Sequence, residues 1–168
     1  IETSKIGWGV VLNRENGRVL HAFRTGFDNL ITGWTASGGP IFNPELIPTM
    51  DDVDSDRVFE VCPHYHGTRN LNAPSYSPTT GLYYLGVNNS CMDVTFISEE
   101  YEPGRIYRGM AARVKPVPGY DYVGEFVAFD PLTGQRAWEY RSPGGVAMTA
   151  SALATAGGVV FGGTAARR

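Results

Sequence analysis

Residues Ala128–Tyr140 read AFDPLTGQRAWEY. With Val127 in front, the first residues make a short apolar strand that ends at Asp130. PLTG then sets a proline early and a glycine late, as a turn does, and QRAWEY resumes the strand pattern. The stretch is a hairpin with its turn from Asp130 to Gly134. The same arrangement stands in VVLNRENGRVLHAF, with the turn from Asn13 to Gly17. In each copy an acidic or amide residue lies four positions before a glycine and follows a strand that ends on an apolar residue. A second type of turn occurs at Ser77–Gly81 in APSYSPTTGLYYLG and at Ala156–Gly158 in SALATAGGVVFGG. The two types alternate along the chain, and recurring units of this kind mark propellers and solenoids.

If the unit is a four-stranded propeller blade with strands A to D, the second type of turn joins A to B and the first joins C to D. A first blade then supplies strand C near 6–12 and strand D near 18–23. The next supplies all four, near 73–77, 82–87, 124–129 and 136–141. A third supplies A near 149–154 and B near 159–163. The expected fold is all-β, a partial β-propeller of half a blade, one complete blade and half a blade, in a single domain over 1–168. In such a meander the short turns share one face. The long connections, 24–72, 88–123 and 142–148, share the other. They are expected to be irregular loops that elaborate a binding face on a rigid scaffold.

The bulk properties agree with one globular domain. The chain has 168 residues, 42% hydrophobic and 18% charged, and its 21 glycines and 11 prolines suit many short strands and tight turns. A net charge of −3 supplies no basic field for nucleic acid or anionic lipid, so no nucleic-acid partner is expected. No apolar run is long enough for a membrane span. The opening IETSKIGWGV lacks the basic and apolar regions of a signal peptide, and both ends read as cuts through a larger fold.

Two cysteines, Cys62 and Cys91, both fall on the loop-rich face, where either a bridge or two free thiols fits. A bridge would close a loop of about 30 residues and place the protein in an oxidising compartment. CPHYHG sets Cys62, His64 and His66 at alternate positions, which on a strand could hold a metal. The proline and glycine inside the segment make an extended strand doubtful and argue for solvated loop or pocket-wall histidines instead. DDVDSD, Asp51–Asp56, opens like a calcium loop but lacks the glycine and the closing glutamate, so it reads as a solvated acidic run. No nucleophile elbow or phosphate-cradling glycine loop is present.

AFDPLTGQRAW resembles the tryptophan docking motif of the pyrroloquinoline-quinone (PQQ) dependent alcohol dehydrogenases, an eight-bladed quinoprotein propeller family. The resemblance implies that Ala128, Asp130, Thr133 and Gly134 tie blades together and that Trp138 packs between neighbouring blades. TSKIGWGVVLNRENG is similar to a family segment whose cationic residue hydrogen-bonds the reactive quinone oxygens, which implies that role for Lys5. CPHYHGTRNLNAPSYSPTTGLYYLGVNNSCMD resembles the segment that runs from Cys-Pro to Cys-Met-Asp. It implies a Cys62–Cys91 disulfide and a cofactor contact at Asn70. LATAGGVVFGGT resembles the family's next strand pair. The resemblance covers essentially the whole chain and aligns it to a middle-to-late portion of the catalytic domain. One position departs: relatives often carry a tryptophan near the cofactor where this sequence has Thr149, in VAMTASALATAG.

The resemblance implies PQQ-dependent oxidation of an alcohol. Hydride passes to the PQQ C5 carbonyl, which is polarised by a calcium or lanthanide ion, and an aspartate acts as base. Metal ligands and base are expected upstream of this chain, so no catalytic or metal-binding residue is assigned within it. Electrons are expected to pass to a cytochrome c in the periplasm. The remaining partner is the rest of the propeller, without which the chain is expected to be inactive. The competing reading is a non-catalytic propeller scaffold with the same docking repeats, which would have no need of Lys5, Asn70 and the cysteine pair together.

Overall fold

The computed structural model describes residues 1–165, and its regular structure is antiparallel strands with three short 3-10 turns. The first sheet joins β1 (Glu2–Thr3), β2 (Trp8–Leu12) and β3 (Val19–Arg24). Next come the hairpin strands β4 (Ile31–Trp34) and β5 (Pro40–Phe42), then β6 (Phe59–Val61) and β7 (Ser75–Ser77). They are followed by β8 (Leu82–Asn88), β9 (Ser90–Phe96), β10 (Met110–Pro116), β11 (Gly124–Phe129) and β12 (Arg136–Arg141). The last pair is β13 (Leu153–Ala154) and β14 (Val160–Phe161). The central four-stranded sheet has the order β12-β11-β8-β7. It is the meander of one complete blade.

Why these residues make this blade is visible in β11, GEFVAF, where every residue is buried. Side chains alternate across a strand, so burial of every position requires cover on both faces. Tyr83, Leu85, Val87, Val127 and Phe129 point one way and pack on Phe23 of β3. Tyr84, Phe126 and Ala128 point the other way and pack on Met148 and Ala152 at the start of the third unit. Two apolar layers therefore clamp the blade between its neighbours.

The repeated turns are built alike. The amide N–H groups of Gly17, Gly81 and Gly134 donate to the carbonyls of Asn13, Ser77 and Asp130 at 2.8, 2.9 and 2.7 Å. At Asp130 the carboxylate also accepts from the Leu132 amide at 2.8 Å and the Thr133 hydroxyl at 3.0 Å. Asn13 accepts from Glu15 N–H in the same way at 2.8 Å, which explains the acid-or-amide choice at this position. Gly134 has a φ of 73° and lies against Phe23, where an added Cβ would come within 2.4 Å of the Phe23 Cβ. His21 Nε2–H donates to the Pro131 carbonyl at 2.8 Å. The turn of the middle blade thus rests directly on the preceding one.

A buried ion pair adds to this contact. Glu125, fully buried, receives both guanidinium nitrogens of Arg136 at 3.0 Å and the Asn89 amide at 3.0 Å. Arg136 also donates to the Thr25 carbonyl of the preceding unit at 3.2 Å.

The long connections differ from the irregular loops expected. Segment 24–72 holds the β4–β5 hairpin and β6, and segment 88–123 holds β9 and β10. Strands β10, β9 and β6 form a second sheet with a core of Phe59, Met92 and Val94. Its pairings reach across the intervening blade strands, and β10 is exposed at most positions, so no local turn announced it. The acidic run is also less solvated than expected. Asp52 is buried, accepts from Thr49 N–H at 2.7 Å and pairs with Arg57 at 2.9 Å, while Asp54 binds Ser98.

Truncating Arg136 to alanine in the full-length protein leaves Glu125 buried and unpaired. This should cost about 3 kcal/mol, read as a lower urea midpoint. Combining it with Glu125→Gln should recover part of the loss. Equal midpoints for wild type and Arg136→Ala would show that the pair does not hold the blades.

Candidate functional cleft

The long connections converge on a cleft of about 340 Å³ beside the end of β8. One wall is the segment after β6. It starts at a disulfide between Cys62 and Cys91, with an S–S distance of 2.05 Å, buried against Val117. Further along, His64 N–H donates to the Ser90 carbonyl at 2.9 Å, and Thr68 N–H to the Lys5 carbonyl at 2.8 Å. Asn88 N–H donates to the Thr68 carbonyl at 2.7 Å. A loop of this length held at so many points keeps its side chains in fixed places. The opposite wall is the segment 147–149, which the Asn88 side chain fixes in both directions: it donates to the Met148 carbonyl at 2.9 Å and accepts from the Met148 amide at 2.7 Å.

Asn70 and Thr149, far apart in sequence, line this one cleft together with His64, His66, Arg69 and Ser90. Lys5 is exposed and lies just outside the lining, behind Gly67. The two backbones are in close contact: a Cβ on Gly67, whose φ is 79°, would fall 2.5 Å from the Lys5 carbonyl oxygen. Glycine is required at that position both for its conformation and for the approach. The 64–67 segment is a turn rather than a strand, with Gly67 N–H bonded to the His64 carbonyl at 2.6 Å. It carries the His64 and His66 rings 5.4 Å apart. Burial, and then the neighbouring His66, hold the His64 pKa below the ordinary histidine value.

Among the described residues no carboxylate lines the cleft. Its polar groups are amides, hydroxyls, imidazoles and the Arg69 guanidinium, which binds the Thr3 carbonyl and, at 3.2 Å, the Asn72 carbonyl. This donor-rich set fits a ligand that presents carboxylate and carbonyl oxygens. No group of three or more His, Cys, Asp or Glu side chains that could hold a metal ion occurs among the described residues. Arg69, Asn72, Asn88 and Ser90 were not singled out in the sequence.

The docking-motif residues lie elsewhere. Ala128 is buried opposite Trp138 across the β11–β12 ladder, and Asp130, Thr133 and Gly134 build the turn on Phe23. The Trp138 indole lies 5.9 Å from both Tyr84 and Phe126, with 42% of its surface exposed. It faces a second cleft of about 650 Å³ whose far side is Val160 and Gly162.

No family model matches the chain. Over 94% of its length it is 34% identical to a lanthanide-dependent methanol dehydrogenase of Methylorubrum extorquens and spans 27% of that protein. Over the same share it is 33% identical to a quinoprotein ethanol dehydrogenase of Pseudomonas aeruginosa and spans 26% of it. The chain belongs to the quinoprotein alcohol dehydrogenase family. It spans about a quarter of the length of the curated relatives it matches. Among solved structures, a europium-containing methanol dehydrogenase superposes over 94% of the chain with a TM-score of 0.82 at 26% identity, and the chain covers 27% of it. The blade meander described above is therefore shared with a quinoprotein dehydrogenase fold.

Non-reducing peptide mapping of the quinoprotein chain should recover the Cys62 and Cys91 peptides linked. Replacing both cysteines by serine should lower stability by about 3–4 kcal/mol, the chain-entropy value for a loop of this size. Full alkylation of both thiols in the native, oxidised protein would exclude the bridge. His64 provides a pH test. Because its pKa is lower in the folded state, its contribution is present above the unfolded pKa and is lost as pH falls through the folded value. On acidification from neutral pH towards about pH 5, the wild type should lose more stability than His64→Gln. Parallel pH profiles for the two proteins would contradict this.

Proposed function

We propose that this chain forms one side of the cofactor and substrate site of a PQQ-dependent alcohol dehydrogenase, within a longer eight-bladed propeller. The observation that carries this reading is the convergence of Asn70 and Thr149 on one carboxylate-free, donor-rich cleft beside Lys5. PQQ is a planar quinone with three carboxylates, and the polar groups of the cleft match it. The chemistry PQQ supplies when bound is two-electron acceptance from an alcohol carbon.

Each residue of the chain has a distinct task in this reading. The Asn70 amide and the Thr149 hydroxyl bind and orient oxygens of the cofactor. The Lys5 ammonium would hold the quinone oxygens of the cofactor and supply positive charge there. The Cys62–Cys91 bridge and the bonds to Ser90 and Lys5 keep the wall rigid, so little reorganisation is needed at the site. The smaller Thr149 leaves space that the tryptophan of relatives would fill. A calcium or lanthanide ion would be held by ligands outside this chain. The names of the relatives, lanthanide-dependent and europium-containing enzymes among them, support a metal of this type. A relative named methanol dehydrogenase [cytochrome c] subunit 1 supports a cytochrome c as the electron acceptor. The disulfide supports a periplasmic location, where such bonds persist.

The test uses the full-length protein loaded with PQQ and either calcium or a lanthanide. Alcohol-dependent dye reduction should require the quinone. Lys5→Ala should lower turnover by about 10²-fold, the scale for losing one such donor, with the fold unchanged. Unaltered turnover in that variant would remove Lys5 from the site, and failure of the wild type to bind PQQ would overturn the reading.

A further inference from the structure

The cleft contains two groups that the proposed chemistry does not use. His64 and His66 sit on the turn between the disulfide and Asn70, and both line the cavity. The hydrogen bonds around them orient their rings. His64 Nδ1 faces the His66 backbone N–H at 3.5 Å, a long contact in which the ring nitrogen accepts. His66 Nδ1 faces the Asn70 amide nitrogen at 3.4 Å, again as acceptor. A neutral imidazole that accepts at Nδ1 carries its proton at Nε2. Burial, and then the neighbouring His66, disfavour the charged form of His64. With the Nδ1 edges occupied, the free polar groups of the pair are two Nε2–H donors.

Their position relative to Lys5 matters. Gly67, which follows His66, packs on the Lys5 backbone, and Thr68 N–H is bonded to the Lys5 carbonyl at 2.8 Å. The histidines therefore flank the Lys5 side of the cleft, the side that the proposed function gives to the reacting oxygens. We infer that His64 and His66 are specificity-determining residues that select alcohols carrying a second oxygen acceptor, such as vicinal diols, over unsubstituted alkanols. The inference rests on the proposed alcohol oxidation. Its physical basis is asymmetric: a site built to bond a substrate oxygen leaves its donors unpaired when the oxygen is missing, and discrimination exceeds what one methylene gives. The absence of a carboxylate from the lining removes the competing acceptor that would otherwise occupy these donors.

Two measurements on the full-length protein test this. The first needs no turnover: ¹⁵N–¹H spectra of the histidine side chains in the PQQ-loaded protein. Both residues should appear as Nε2–H tautomers, and 1,2-propanediol should shift both Nε2 signals while the near-isosteric 2-methyl-1-propanol should not. Nδ1–H tautomers, or equal responses to the two alcohols, would overturn the inference. The second is the ratio of kcat/KM for 1,2-propanediol to that for 2-methyl-1-propanol. The ratio should fall about 10-fold or more in the double variant His64→Leu/His66→Leu, mainly through the diol. His66→Gln, which keeps a donor near the same point, should retain most of it. An unchanged ratio in the double variant would refute selection by the histidines even where oxidation itself is intact. If no alcohol is oxidised but the diol still shifts both signals, the alcohol-oxidation reading fails and the donor pair stands.

Discussion

The central blade depends on being covered on both faces. Val127 and Phe129 meet Phe23 of the preceding unit, and Phe126 and Ala128 meet Met148 and Ala152 of the following one. A four-stranded sheet with two apolar faces has no stable existence alone in water, since each face must be removed from solvent by a neighbour. Stacking of successive blades satisfies that demand. It also sets the spacing at which the connections leave the sheet, and so fixes where the cleft can form. The buried Glu125–Arg136 pair, with its extra bond to the Thr25 carbonyl, adds a directional contact to the same interface.

On this scaffold the cleft is made by connections that are themselves anchored. The disulfide pins the start of one wall to β9, and the Lys5 and Asn88 backbone groups pin its middle. The other wall is locked to β8 by the paired bonds of the Asn88 side chain. Backbone groups that would go unpaired in a free loop are thereby satisfied. Of the side chains that face the cavity, Arg69, Asn72 and Asn88 are spent on such internal bonds, and Thr149 is left for a ligand. The chemistry follows from the composition: donors without carboxylates attract oxygen-bearing anions, and the histidine pair adds two directional donors at the Lys5 side.

The tie between docking turn and preceding blade shows how local chemistry is reused. Asp130 shapes its own turn through Leu132 and Thr133, and that shape places Gly134 against Phe23 and the Pro131 carbonyl against His21. A residue chosen for a turn thus sets the fit between two sheets. Trp138 serves its own blade first, against Tyr84 and Phe126, and presents the remainder of its surface to the next.

By itself, the sequence determined the blade. Alternating strands and turns with an acid or amide four positions before a glycine are local signals, because hydrogen bonds within five residues decide them, and β11 and β12 fall at 124–129 and 136–141 as the pattern required. The cysteine pair was legible through the resemblance of its segment to a family, and the same resemblance singled out Asn70 and Lys5 as candidates. Tertiary structure alone decided the second sheet, because β10, β9 and β6 pair across distant positions and most of β10 stays exposed. It alone decided that Asn70, Thr149 and the two histidines share one cleft, with Lys5 behind Gly67 rather than in the lining. The reason is that a cavity is defined by walls from separate connections. Their meeting depends on how the blades stack, which is a sum of many contacts that no short stretch of residues contains.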